Sequence, residues 1–319
     1  MFGAWQSARL QGGLLLAVLG SMLASCGRQD GVVGVERLST GAGGESAAGA
    51  PSTKGFTDDF STNSGLWTEQ TRVDGAATAF GVPGAAARDG NFAELRLPGH
   101  PEYGPSDHAG ASYATEIATK ERFGFGTYRT RLGYGACDSS EEAVLSFLGY
   151  FNDGRDHDGD GIVDDLEIDV QVICGQPQLL YLTVYTDDDG DAGTRFRKLS
   201  RVIDFSSGER FDTASVSSDT FESTGRDPAW IQPDWVTPGV LYELGFEWHT
   251  DSIRFFVKLN DSERDVWMLS GAERVPQQPV YVLYNLWHPD LHWYPGKGPA
   301  DYPANDVVLS VDWVSFQPE

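Results

Sequence analysis

From residue 56 onward the sequence predicts an all-β domain, a two-sheet antiparallel sandwich of jelly-roll type, and three observations predict it. Short runs at 127–132, 180–186, 253–259, 280–286 and 307–314 alternate in polarity and are rich in Val, Tyr, Phe and Ile, the composition of half-buried strands. Gly, Pro, Asp and Asn separate these runs. No stretch sustains a helical period and no helix alternates with the strands, which argues against a parallel α/β sheet.

The N-terminus has a different character. Arg9 gives residues 1–26 a positive start, 14–23 form a short apolar core, and Leu23-Ala24-Ser25-Cys26 resembles the lipobox of bacterial lipoproteins. The apolar run is short for a transmembrane helix. On this reading Cys26 is the lipidated first residue of the mature chain and its sole membrane attachment; the alternative is an ordinary secretory signal cut nearby. Both export the protein. Residues 27–55 are mostly Gly, Ser, Ala and Thr, with Val32, Val33, Val35 and Leu38 the only larger aliphatic side chains, too little to offset the entropy of ordering, so a flexible tether is expected. No comparable linker interrupts 56–319, which is expected to be one domain and a monomer.

Net charge is −24, from 23 Lys and Arg against 47 Asp and Glu. Phosphate binding needs basic patches, so this balance excludes nucleic acid as a natural partner and leaves neutral polysaccharide open. With Cys26 set aside, Cys137 and Cys174 can form a disulfide in an exported protein; two buried free thiols are the alternative.

Residues 156–171 join two chemical devices without a spacer. Asp156, Asp158, Asp160 and Gly161 have the one, three, five and six spacing of an EF-hand calcium loop, and Glu167 falls at the twelfth position. The flanks read as strands, so the expectation is a calcium-stapled loop between strands; the alternative is a solvated acidic turn. Repulsion among six carboxylates in twelve residues argues for a bound cation. The second half alternates Glu167, Asp169 and Gln171 with Ile168, Val170 and Val172, which puts the polar three on one face of a strand.

Several stretches resemble glycoside hydrolase family 16, most closely its bacterial lichenases and laminarinases. These are 114–129, Leu166-Glu-Ile-Asp-Val-Gln171, 242–257, Tyr284-Asn-Leu-Trp287 and Val311-Asp-Trp-Val314. The resemblance implies a concanavalin A-like jelly roll with a glycan cleft across its concave sheet, and retaining cleavage of β-glucans or galactans. Its catalytic strand reads Glu-x-Asp-x-Glu, or has one further residue before the last Glu. Carried across, Glu167 is the nucleophile, Asp169 the supporting carboxylate and Gln171 stands at the acid/base position; residue 172 is Val, so the longer spacing does not supply an acid. The resemblance also implies a structural calcium far from the cleft, with Asp312 as ligand and the Gly90 carbonyl as a donor.

Retention needs two carboxyl groups about 5–5.5 Å apart, one to attack and one to protonate the leaving oxygen. Glutamine cannot give up a proton near neutral pH, and a general acid contributes about 10²–10⁴-fold. Three expectations compete: a slow hydrolase, rescued by a carboxylate from the insertion at 213–235 or by good leaving groups; a noncatalytic glycan-binding lipoprotein; and a calcium-stabilised surface protein that binds no glycan. A twelfth-position Glu that chelates calcium would be a poor nucleophile, so the expected ligands are Asp156, Asp158, Asp160, Asp164 and a carbonyl near Ile162, with Glu167 left to the cleft. Trp287, Trp293, Trp230 and Trp235, with Asn285, are the candidate sugar contacts, since flat rings stack on sugar faces; Trp248 and Trp313 are expected in the core.

Overall fold

The computed structural model describes residues 52–71, 73–103, 115–135, 137–187, 197–213, 221–232, 235, 239–288 and 301–319. Residues 1–26, the tether up to 51, Cys26 and Trp293 lie outside the described residues. Among those described, the strands in chain order are β1 (Phe56–Asp58), β2 (Trp67–Thr71), β3 (Ala77–Pro83), β4 (Asn91–Leu97), β5 (Thr115–Thr119), β6 (Gly126–Tyr134), β7 (Val144–Phe151), β8 (Leu166–Ile173), β9 (Leu179–Asp187), β10 (Arg197–Asp204), β11 (Glu209–Thr213), β12 (Phe221–Arg226), β13 (Tyr242–Trp248), β14 (Ser252–Leu259), β15 (Ser262–Ser270), β16 (Tyr281–Trp287) and β17 (Val307–Pro318). Among the described residues the helical content is two single 3₁₀ turns, Pro228–Trp230 and Ala272–Arg274.

The strands form two antiparallel sheets. One runs β15-β14-β13-β6-β17-β4-β3 with β1 added beside β17; the other has nine strands in the order β12-β11-β10-β9-β8-β7-β16-β5-β2. Local chemistry explains much of the path. Asn260 and Asp261, both at positive φ (50° and 61°), make the two-residue turn between β14 and β15, the geometry that matches the twist of a hairpin. The apolar positions of each strand then face one shared core. Leu166, Ile168, Val170 and Val172 of β8 pack there with Phe147, Tyr284, Phe246 and Tyr128, and Tyr128 and Phe246 stack at 4.8 Å.

Three details differ from the sequence expectation. The chain joins the fold before residue 56: Ser52 bridges Phe123 and its N–H donates to the Arg122 carbonyl at 2.8 Å. Trp248 is buried, donating to the Pro276 carbonyl at 3.0 Å, but Trp313 is half-buried, with the Arg88 guanidinium 5.3 Å from its ring centre. The insertion at 213–235 contributes the edge strand β12 and a turn capped by Asp227, whose carboxylate accepts from the Ala229 N–H at 2.8 Å.

Cys137 follows β6 in one sheet and Cys174 follows β8 in the other; they are bonded, with Cα atoms 5.7 Å apart. The link closes a loop of 37 residues in sequence separation, which in the chain-entropy account stabilises by about 3–4 kcal/mol. Replacing both cysteines by serine is expected to lower the unfolding free energy in denaturant by that amount. An unchanged midpoint would mean that the bridge is not formed.

Candidate active site

β8 is the middle strand of the nine, and its inward residues are held by the core, so its polar residues point away from the core. Antiparallel register extends each of them into a row across the sheet. Glu167 lies between Tyr150 and Tyr185, with Tyr281 and Lys198 one strand further out on either side. Asp169 lies between Leu148 and Thr183, and Gln171 between Ser146 and Tyr181. Asn285 and Glu116 continue the Gln171 row on β16 and β5. This face is recessed: Asp169 is 2%, Asn285 5% and Tyr185 8% exposed, while Glu167 and Gln171 are half-buried.

The electrostatics follow from that depth. Burial is the main cause that pushes Asp169 up to about 7; the hydrogen bond from Glu167 and the charge of Lys198 pull it down, and Asp165 pushes it up. Burial also holds Glu167 well above the usual carboxylate range, and the charges of Asp169 and Asp165 add to it, opposed by Lys198. The two carboxyls share a hydrogen bond, so one proton serves both. Asp169 Oδ1 is buried with no hydrogen-bond partner among the described residues. Asp165 precedes β8 on the same face and accepts from Asn152 Nδ2 at 3.0 Å.

Gln171 donates through Nε2 to Ser146 Oγ at 3.2 Å. Its place in the Gln171 row sets Glu116 three strands away, about 14 Å by strand spacing, which is beyond the reach of an acid paired with Glu167. In the insertion, Asp227 is taken up by its cap and Glu222 lies exposed on edge strand β12. Among the described residues, the insertion brings no carboxyl group to Glu167.

The aromatic residues sort differently from the expectation. Trp287 is half-buried on the same face as Glu167 and packs against the apolar side chains around Leu283 and Val144. Asn285 joins it on β16, and its Oδ1 has no hydrogen-bond partner among the described residues. Trp230 and Trp235 are core residues, 6% and 4% exposed. Trp235 is sandwiched by Phe205 at 4.2 Å and Tyr242 at 4.4 Å, and Arg210 lies 5.4 Å from the Trp230 ring. A Pro-rich insertion reads as surface, but β11 and β12 extend the sheet and bring both indoles back onto the core. The rings beside Glu167 are instead Tyr150, Tyr185 and Tyr281, which the sequence did not single out because their roles depend on strand register.

The loop between β7 and β8 gathers carboxylates as its spacing predicts. Oxygens of Asp156, Asp158 and Asp164 lie within 4.8 Å of one another, and so do those of Asp158, Asp160 and Asp187. Asp187, from the end of β9, was not legible in the motif. The loop is shaped by its own acids: Asp156 accepts from the Gly159 and Gly161 N–H groups at 2.6 and 2.8 Å, and Asp160 from the Ile162 N–H at 2.9 Å. Ile162 itself is 6% exposed, and Glu167 belongs to neither cluster. This all-oxygen donor set fits calcium. The pair of Asp312 and Gly90 does not. Asp312 accepts from the Arg131 guanidinium at 2.6 Å and from the Arg88 N–H at 2.7 Å, and the Gly90 carbonyl accepts from the Gly84 N–H at 2.9 Å. An arginine supplies the positive charge that a cation was expected to bring.

The raised Asp169 makes stability depend on pH with a definite sign. An unfolded aspartate ionises near about 3.9, so the folded chain holds this proton more tightly; the resulting stabilisation is present below pH ~4 and lost as pH rises through about 7. Asp169→Asn cannot ionise and is expected to lose less stability than the wild type between those limits. Denaturant midpoints at several pH values test this, and parallel pH profiles for the two proteins would refute it.

No protein-family model matches the sequence, and no curated protein matches it. Solved structures do match. The Bacillus licheniformis β-glucanase aligns at TM-score 0.51 and 15% identity over 83% of this chain and 98% of that one. A prokaryotic β-1,3-1,4-glucanase (lichenase) from a mouse hindgut metagenome gives 0.47 at 17% identity over 83% and 99%. The Bacteroides ovatus mixed linkage glucan GH16 in complex with its G4G4G3G product gives 0.46 at 11% over 82% and 99%. At such identities the likeness is one of fold, and the Bacillus enzyme carries it. This chain has a two-sheet antiparallel jelly-roll fold like that of the Bacillus licheniformis β-glucanase.

Proposed function

We propose that this chain is an exported, slow retaining glycoside hydrolase acting on a β-linked polysaccharide, a β-glucan or galactan, with Glu167 as its nucleophile. The observation that carries the reading is Glu167 itself: a half-buried carboxyl between Tyr150 and Tyr185 on a recessed sheet face, with Asp169 hydrogen-bonded beside it. In its anionic form Glu167 attacks the anomeric carbon, and the bond to the leaving sugar oxygen breaks as the glycosyl ester forms. The leaving oxygen must take a proton. The Gln171 amide can donate a hydrogen bond to it but not a proton, which leaves expulsion of a sugar alkoxide to water and makes the step slow. Trp287 and the tyrosines offer flat faces to sugar rings, and Asn285 an unsatisfied acceptor to a hydroxyl.

A second reading rests on Gln171: a noncatalytic glycan-binding lipoprotein, in which Glu167, Asp169 and Gln171 only hydrogen-bond the ligand. The two separate on one substitution. Gln171→Glu is expected to raise hydrolysis of a natural polysaccharide by about 10²-fold or more, with little gain on aryl glycosides whose leaving groups need no proton, and Glu167→Gln in that background should abolish the gain. Activity that survives Glu167→Gln would move the nucleophile elsewhere. A wild type and Gln171→Glu variant that are both inert but retain glycan alike in pull-down would leave the binding protein.

Calcium belongs to the proposal as a structural ion held by Asp156, Asp158, Asp160, Asp164 and Asp187, with a carbonyl near Ile162. It supplies charge neutralisation for the loop and no step of the reaction. A ligand at about 100 times its dissociation constant stabilises by about 2.7 kcal/mol, so the melting temperature is expected to rise in calcium over chelator. Asp158→Ala should remove the rise, since Asp158 belongs to both clusters; equal melting curves for the wild type in the two buffers would sink the site. Export and anchoring through Cys26 remain part of the same proposal.

A further inference from the structure

A nucleophilic carboxylate has to be charged, and the surroundings of Glu167 work against this. Around it stand Tyr150 on β7, Tyr185 on β9, Tyr281 beyond Tyr150 on β16, and Asp165 and Asp169 on its own segment. Two of these neighbours are carboxyls, whose charges favour the protonated form of Glu167. Lys198 is the exception. β10 is two strands from β8, so the Lys198 and Glu167 Cα atoms lie about 10 Å apart, and the lysine shares the Glu167 row through Tyr185. Its Nζ stands 5.7 Å from the centre of the Tyr185 ring, the residue that separates the two. From there its charge acts on both Glu167 and Asp169.

We propose that Lys198 is a positioning residue of this site: its ammonium, held over the Tyr185 ring, favours the anionic form of Glu167, the form that attacks, without itself touching the reacting atoms. The proposal rests on the reading of Glu167 as nucleophile, and its test is chosen not to require turnover. The full chain is labelled with ¹³C at the Glu and Asp carboxyls, and the Glu167 resonance is assigned by its loss in Glu167→Gln. In Lys198→Met the Glu167 titration midpoint is expected to rise by about one pH unit, and Lys198→Arg should restore the wild-type midpoint. Lys198→Gln provides the same loss of charge if the methionine variant does not fold. A midpoint that stays put when the charge is removed overturns the proposal, and so does an equal rise in the arginine variant, which would trace the effect to packing. Where glycan hydrolysis is measurable, the acidic limb of its pH profile should move with the resonance. If the chain hydrolyses no glycan, the function proposed above fails while the titration still decides the role of Lys198.

Discussion

The packing of Leu166, Ile168, Val170 and Val172 between the two sheets is the interaction on which the site depends. A strand has a side-chain period of two, so burying these four fixes Asp165, Glu167, Asp169 and Gln171 on the opposite face. A slip of one residue would drive three carboxyls into the core and expose the aliphatic set, which makes this register strongly specified. The disulfide at Cys174, just past the end of β8, holds the same strand to the other sheet. Fold and site are therefore set by one pattern, seen from its two sides.

That pattern is why so much of the architecture could be read from the sequence. Apolar alternation is a local signal, and β6, β9, β14 and β17 cover runs that the alternation marks, with β16 offset by one residue from its own. The Glu167, Asp169 and Gln171 face is local too. What the sequence withheld is what register brings together. Tyr150, Tyr185 and Lys198 come from three strands, and only the pairing of β7, β8, β9 and β10 lines them up with Glu167. The same holds for Asp187 in the calcium loop and for Arg131 against Asp312: each partner is distant in sequence, and no spacing rule reaches it. Trp230 and Trp235 failed for the complementary reason. Proline-rich composition marks a surface connection, but it does not reveal that β12 extends the sheet and returns two indoles to the core.

The recess that shapes the site also opposes its charge. Removing carboxylates from water favours their neutral form by far more than a surface ion pair can offset, and here three of them, Asp165, Glu167 and Asp169, stand at alternate positions of one segment. A shared proton between Glu167 and Asp169 and the charge of Lys198 are the two local devices that make this arrangement tenable.

Gln171 has a meaning within this electrostatic arrangement. The family pattern, as the resemblance implies it, has three carboxyls at alternate positions of the strand; this chain also has three, but they begin two residues earlier, at Asp165, and the amide stands where the last would be. A carboxyl at 171 would be the fourth on one face, in the row of Ser146 and Asn285, both almost wholly buried. Each neighbouring negative charge and each increment of burial raises the pKa of such a group. The crowding that makes Glu167 reluctant to ionise would thus hold a carboxyl at 171 in its protonated form, the form in which a general acid acts. The amide at 171 relieves the strand of that fourth group, and the scaffold around it keeps the conditions under which an acid there would function.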